Sequence, residues 1–500
     1  MGSFRFSLPE SNQVVVDRPE LIYMAGLDGI PLKITRHVEG RLLTIEREDD
    51  DSGKLFAPIQ RSCGRVVLVP TGTVVVREKP YRLLLELARG AVDRLRNQHD
   101  LWIRCGFEFS DDIAEKIHGV SQSFCRAAVR QNEADACDQH AAEVLEESLQ
   151  VIDQLEEEYA DQVIALRHQQ PDAVSTLYGT RLPDVGPSAP ASPSLAEAAL
   201  DQYPDAFDTV YLEVNWSQYE PEVDQLDLAP LINRVRRFRD KGYRVAVGPM
   251  IRVDEQLLPK FIMDATDFEF VRGRFAKFAE KVTRAVGNEV DLLDVFGGLN
   301  SKVDLELPID YRLRLAIDAI EAAQGVNPES PLIIGFDQPW CEGAERELCL
   351  SPLQCADAIV RANLQIAGFL LEVNWGITPA GTTPRDVLQL HTMLDLWSQF
   401  ELPLVISLAI PSRCDADPAA RFDDGCVAQC DADKAAEQQA CELRSLVQFL
   451  LAKPIVQGII WNQLHDGNRH RFRHCGLLNP DGTPKPAFQT WRQLRPNWQK

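Results

Sequence analysis

Eight apolar, β-branched segments alternating with amphipathic helical stretches across 169–500 predict an α/β fold, a (β/α)8 TIM barrel. Two further observations complete the prediction. Residues 1–80 read as short strands punctuated by Gly, Pro and Asp, and 81–168 switch to a helical period. The chain is therefore expected to divide into a β-rich module (1–80), a helical hairpin (81–168) and the barrel (169–500).

In the first part, "FRFSL", "QVVVD", "PLKITRHV", "RLLTIERE" and "RVVLVPTGTVVVREK" are the candidate strands, with "EDDDSGK" as a turn. Together they suggest a small β-sandwich. Carbohydrate-binding modules have that general shape, but no residue here establishes the role. In the second part, Leu145, Ile152, Tyr159 and Leu166 recur every seven residues, with Leu149 and Val163 beside them. Such a stripe packs a hairpin or forms a dimer seam.

The barrel strands are expected in "AVSTLYGTRL", "TVYLEVNW", "YRVAVGPMI", "VDLLDVF", "PLIIGFD", "GFLLEVNWG", "LPLVISLAI" and "VQGIIWNQL". "LAPLINRVRRFRDKG" and "RGRFAKFAEKVTRAVG" are typical of the helices between them. "PDVGPSAPASPS", after the first strand, reads as a long loop on the top face.

Composition narrows the partners. A formal charge of -23 repels phosphate backbones and anionic lipid heads, which argues against nucleic acid and membrane surfaces. "MGSFRFSLPESNQVVV" lacks a secretory pattern, and no apolar run reaches the roughly 20 residues of a membrane helix, so a cytoplasmic protein is expected. Its twelve cysteines would then be mostly reduced. Cys414, Cys426, Cys430 and Cys441 crowd one segment, but their spacing fits no zinc knuckle; ordinary thiols or a loop disulfide compete with a metal there. No phosphate loop or dinucleotide fingerprint is present, so no cofactor is expected.

Active groups of such barrels sit at the C-terminal strand ends. Those ends carry Glu213, Asn215 and Trp216 on the second strand, Arg252 and Asp254 after the third, and Gly297 and Gly298 on the fourth. Asp337 and Trp340 follow the fifth, Glu372, Asn374 and Trp375 the sixth, Ser407 the seventh, and Trp461, Asn462, His465 and Asp466 the eighth. Indoles interleaved with amides and carboxylates are how proteins hold sugar rings. Trp216, Trp340, Trp375 and Trp461 are the candidate stacking platforms, and Asn215, Asn374, Asp337 and Asp466 the candidate hydroxyl partners. The competing expectation is that each Trp is core capping the barrel.

At these residues the sequence resembles glycoside hydrolase family 10, the endo-β-1,4-xylanases of a retaining (β/α)8 clan. "LYGTRL" resembles the family's first-strand Phe-Gly-Thr segment, and "YLEVNWSQYEPEVDQLDLAPLINRVRRFRDKGYRVAVGP" its Glu-Asn-x-x-Lys-Trp to Gly-His stretch. "IIWNQLHD" with "CGLLNPDGTPKPAFQTW" is similar to its closing block. The resemblance implies a polysaccharide or oligosaccharide ligand at the barrel mouth. It also implies where catalysis would sit, and there the sequence departs. The family's acid/base position holds Gly298 and its nucleophile position Leu408, while "GPMIRVD" lacks the His and Trp of the strand-three motif.

Retaining hydrolysis needs two carboxyls roughly 5 Å apart, so the resemblance implies recognition without that mechanism. One alternative is hydrolysis through relocated carboxylates, Glu213 and Glu372, which sit in the near-identical contexts "YLEVNW" and "LLEVNW". Another is a scaffold whose mouth binds nothing.

Overall fold

The computed structural model describes residues 2–9, 13–169, 176–184, 186, 194–300, 307–341, 350–377, 381–422, 434–467 and 469–495. Its centre is a closed barrel of parallel strands: β1 (Leu177–Leu182), β2 (Thr209–Leu212), β3 (Arg244–Val247), β4 (Leu292–Gly297), β5 (Leu332–Asp337), β6 (Gly368–Asn374), β7 (Leu404–Ala409) and β8 (Val456–Trp461). Each pairs in parallel with its sequence neighbours, and β8 closes onto β1. Seven of these strands lie within the apolar segments expected from sequence, and β4 runs one residue further, to Gly297. Being covered on both faces makes their signal continuous rather than alternating.

The surrounding helices are amphipathic for the same reason. The helix Phe268–Val286 turns Phe275, Phe278, Val282 and Val286 inward, and the Asp267 side chain caps its start by accepting from the Glu269 amide at 3.0 Å.

The N-terminal residues form two small sheets. One orders Thr35–Glu39, Leu42–Arg47, Gly2–Ser7 and Tyr81–Arg82; the other orders Tyr23–Ala25, Lys54–Gln60 and Val66–Pro70. The stretch "QVVVD", expected as a strand, is instead a short helix, Gln13–Asp17. Val15 is fully buried there, so packing outweighs the β propensity of the valines.

The helical segment holds three helices rather than a two-helix hairpin: α1 (Leu83–Arg104), α2 (Asp111–Val129) and α3 (Ala134–His168). The seven-residue stripe is an internal seam. Leu145, Leu149, Ile152, Tyr159 and Val163 are buried, and only Leu166 at its end is exposed. Tyr159 stacks on Trp102 of α1 with centroids 4.1 Å apart, and Lys453 beside the barrel reaches the same tyrosine.

These parts share one hydrophobic core, continuous from Phe4 to Leu494. The second small sheet docks on the segment after β6: the Leu68 amide donates to the Pro384 carbonyl at 2.8 Å, and Gln389 Nε2 donates to the Leu68 carbonyl at 2.7 Å. No helix among the described residues is long and apolar enough to cross a membrane. Of the crowded cysteines, Cys414 is half-buried and Cys441 exposed, while Cys426 and Cys430 lie outside the described residues.

Gly90 sets how closely α1 approaches the second sheet. A methyl there would stand 2.6 Å from the Thr71 carbonyl carbon, which cannot move without breaking the sheet edge. Gly90→Ala is expected to destabilise the protein by about 1–3 kcal/mol, the usual cost of overpacking. A thermal melt checks it; an unchanged or raised Tm would show that the helix has room to shift.

Candidate functional site at the barrel mouth

Side chains alternate across a strand, so every second barrel residue points inward. The lower interior is apolar: Tyr211, Ala246, Ile333, Leu370, Val405 and Ile460 form one buried cluster. Two residues further along, the inward positions turn polar. They hold Arg181, Glu213, Asp294, Gly335, Glu372, Ser407 and Asn462. Two further on come Asp337 and Asn374.

Glu372 is the hub of this layer, and it is buried. Its Oε1 accepts from Arg471 Nη1 at 2.8 Å, Arg181 Nη1 at 3.3 Å and Arg252 Nη1 at 3.5 Å. Its Oε2 accepts from Arg471 Nη1 at 2.6 Å and Asn374 Nδ2 at 3.0 Å. Asn462 then donates to Asn374 Oδ1 at 2.6 Å and accepts from the Ser407 hydroxyl at 2.5 Å. Asp337 pairs with Arg252 and lies 3.7 Å from Arg471 Nη2. Glu213 reaches the same Arg181 nitrogen at 3.6 Å and is the most open member, with 31% of its side chain exposed.

Burial alone would raise the Glu372 pKa, but Arg471, Arg252 and Arg181 outweigh it and hold the carboxyl well below the usual range. Asp337 is pushed up by burial, with Arg252 opposing and the Glu372 charge adding to the rise. Beneath them Asp294 accepts from the Tyr211 hydroxyl at 2.6 Å, and burial pushes it up to about 7. Arg181 lies over the Tyr211 ring, 4.5 Å from its centroid.

Several expected site residues lie elsewhere, and strand parity explains it. Glu372 and Asn374 point inward, so Trp375 falls on the opposite parity; Asn462 points inward, so Trp461 points out. Both indoles are buried, as is Trp216. Trp216 stacks on Phe278 of the outer helix at 4.4 Å. Trp461 meets Trp491 edge-on and donates to the Cys475 carbonyl at 2.9 Å. Trp375 lies under Arg65 of the N-terminal module at 5.2 Å.

These three indoles therefore pack the shell of the barrel and offer no stacking face at its mouth. Trp340 is half-buried, with the Arg385 guanidinium 4.8 Å from its ring. Asn215 is half-buried and accepts from its neighbour Ser217 at 2.7 Å. Asp466 accepts from Lys485 Nζ at 2.5 Å and from the Gly476 amide at 2.7 Å, which ties down the C-terminal loop.

Parity also revises the strand-seven reading. Leu408 is buried in the outer core, and the inward position beside it is Ser407. On β4 the inward Asp294 is followed by an irregularity, after which Gly297 borders Arg252; Gly298 has φ +72°, a backbone suited to glycine. A side chain at Gly297 would meet Pro249 Cγ at 2.9 Å and Arg252 Nη1 at 3.4 Å. Arg181 and Arg471 were missed from sequence. Arg181 was legible by parity from "LYGTRL". Arg471 was not, because "HDGNRHRFRHC" reads as a solvent-facing loop, whereas His470–Phe472 pairs with Ala420–Phe422 over the mouth. Among the described residues no cluster of His, Cys, Asp and Glu could hold a metal ion.

The fold is that of family 10 xylanases. Xylanase 10B from Thermotoga maritima superposes with a TM-score of 0.50 at 13% identity, over 66% of this chain and 96% of that one. A GH10 endoxylanase from a sugarcane soil metagenome gives 0.50 at 12% identity over 64% and 97%. Xylanase 10C from Cellvibrio japonicus gives 0.50 at 13% over 66% and 72%. No family model and no curated protein sequence matches the chain.

Asp294 supplies a pH signature. Its folded pKa of about 7 stands above the ordinary value, so its contribution to stability is full in acid and is lost as pH rises through 7. Asp294→Asn keeps an acceptor for Tyr211 without the charge. Variant and wild type should melt alike near pH 4, with the variant several degrees higher at pH 8, as read by calorimetry. An equal gap at both pH values would place the ionisation elsewhere.

Proposed function

We propose that this protein recognises a saccharide at the C-terminal mouth of its xylanase-like barrel and does not carry out retaining hydrolysis. The observation that carries this reading is the bonding of Glu372. A carboxylate that attacks needs an open lone pair, and one that moves protons also needs a pKa near its task; both Glu372 oxygens are occupied by donors, and its carboxyl is held well below the usual range. Among the described residues, the inward groups of β4 and β7 are Asp294 beneath the surface, Gly297 and Ser407, so neither strand supplies a carboxyl at the mouth itself. What the mouth does offer is a ring of convergent donors and acceptors around Glu372, Asn374, Asp337 and Asn462. That is the chemistry of polyol binding, with Trp216, Trp375 and Trp461 packed away from it.

A second reading is favoured by one feature: Glu213 and Glu372 converge on the same Arg181 nitrogen, at 3.6 and 3.3 Å. Such a pair could flank a water in an inverting reaction once Arg471 is displaced.

Calorimetry and reducing-end assays on neutral and acidic β-1,4-linked oligosaccharides separate these readings. Recognition predicts binding heat without released ends, and loss of binding in Glu372→Gln. Released ends that fall by orders of magnitude in Glu213→Gln or Glu372→Gln, with binding retained, would instead establish relocated hydrolysis. No heat from any saccharide at millimolar concentration would leave a scaffold.

A further inference from the structure

We infer that the ligand taken at this mouth is an acidic saccharide, whose carboxylate or sulfate docks on the guanidinium cluster of Arg181, Arg252 and Arg471. The inference rests on the saccharide reading above and specifies its chemical class.

The donors at the mouth outnumber the acceptors. Each guanidinium carries five N–H donors, and a carboxylate has about four lone-pair sites. Glu372 already accepts from four side chains, so its capacity is spent. Yet Arg181 Nε and Nη2 and Arg471 Nη2 remain buried without a hydrogen-bond partner. Arg181 is only 3% exposed, so bulk water does not satisfy it. Buried guanidinium donors without acceptors are costly, and an incoming anion removes that cost.

The three arginines come from separate elements, namely β1, the segment Ile251–Arg252 after β3, and His470–Phe472. Convergence from such distant parts of a chain with net charge -23 is not a product of average composition. It is a built cluster of three guanidiniums whose charges Glu372, Asp337 and Glu213 balance but whose N–H donors they do not all fill. The planar forks suit a bidentate oxyanion rather than a hydroxyl.

Access is marked by exposure. Glu213 and Arg471 are the most open members of the cluster, with 31% and 15% of their side chains exposed. A ligand anion entering there meets Arg471 first, releases Nη1 from Glu372, and reaches the unpartnered donors of Arg181 behind it. Asn374 and Asn462 stand beside Glu372 to meet the hydroxyls of the same ring.

The test is titration calorimetry at neutral pH with three probes: an oligosaccharide bearing uronic acid, its neutral counterpart, and inorganic sulfate. The acidic oligosaccharide should bind at least tenfold more tightly than either other probe. Its affinity should fall with added salt. Arg471→Gln should reduce it to the neutral level, whereas Arg361→Gln on an outer helix should not. A folding defect in the Arg471 variant leaves the salt dependence of the wild type as the deciding measurement. Equal affinity for neutral and acidic oligosaccharides would overturn the inference while leaving saccharide recognition intact. Sulfate binding as tightly as the acidic oligosaccharide would instead overturn saccharide recognition and leave a bare anion site. Silence from all three probes would overturn both.

Discussion

One buried carboxylate, Glu372, organises the top of this barrel. Removing a charge from water costs several kcal/mol, and only close opposite charges with complete hydrogen bonding offset that. The surroundings of Glu372 read as the consequence. Three guanidiniums approach it, and Asn374 fills a remaining lone pair. Gly297 leaves β4 without a side chain where Arg252 must pass. Further out, Ser407 and Asn462 hold Asn374 in orientation, so the network extends across β6, β7 and β8.

That arrangement is compatible with a xylanase-like fold because it lies above the layer that closes the barrel. The barrel requires only that inward positions near the bottom be apolar and well packed, which Tyr211, Ile333, Leu370 and Ile460 satisfy. The layer above is free to vary, because strand pairing does not depend on it. Here it holds Glu372 among three guanidiniums, with Asp337 and Glu213 paired to the same arginines. Such a cluster contributes little net stability compared with an apolar plug. It stands in the strand-end layer, where the functional groups of such barrels sit, rather than in the lower core.

How much of this was legible differs by level. The eight strands could be read because a doubly covered strand is an unbroken apolar run, and each formed where expected, β4 running one residue further to Gly297. The helical stripe at Leu145, Ile152 and Tyr159 was legible for the same reason, though not that a third helix would share it. At the mouth, strand ends are legible but strand parity is not read from them. Glu372, Asn374 and Asp337 lie at strand ends and point inward. Trp375 and Trp461 are each one residue from an inward amide, which places the indole among the outer helices, where strand-end position alone cannot put it. Arg471 lay beyond local reading altogether. Its position depends on pairing between His470–Phe472 and Ala420–Phe422, fifty residues apart, and no periodicity announces such a contact.

The acids of the mouth also constrain one another. Asp337 and Asp294 are raised while Glu372 is lowered, although all are buried close to the same arginines. Burial penalises each carboxylate, so the positive charge available is claimed first by the group with the best geometry. Glu372 touches all three guanidiniums and takes it; Asp337 has Arg252 and a more distant Arg471; Asp294 has a tyrosine hydroxyl. Protons lost or gained at one site therefore redistribute over the others, and the cluster titrates as a unit. An anion arriving at Arg471 enters the same competition. It would draw positive charge from Glu372 and Asp337 and favour their protonated forms, so binding and proton uptake are coupled by the geometry itself.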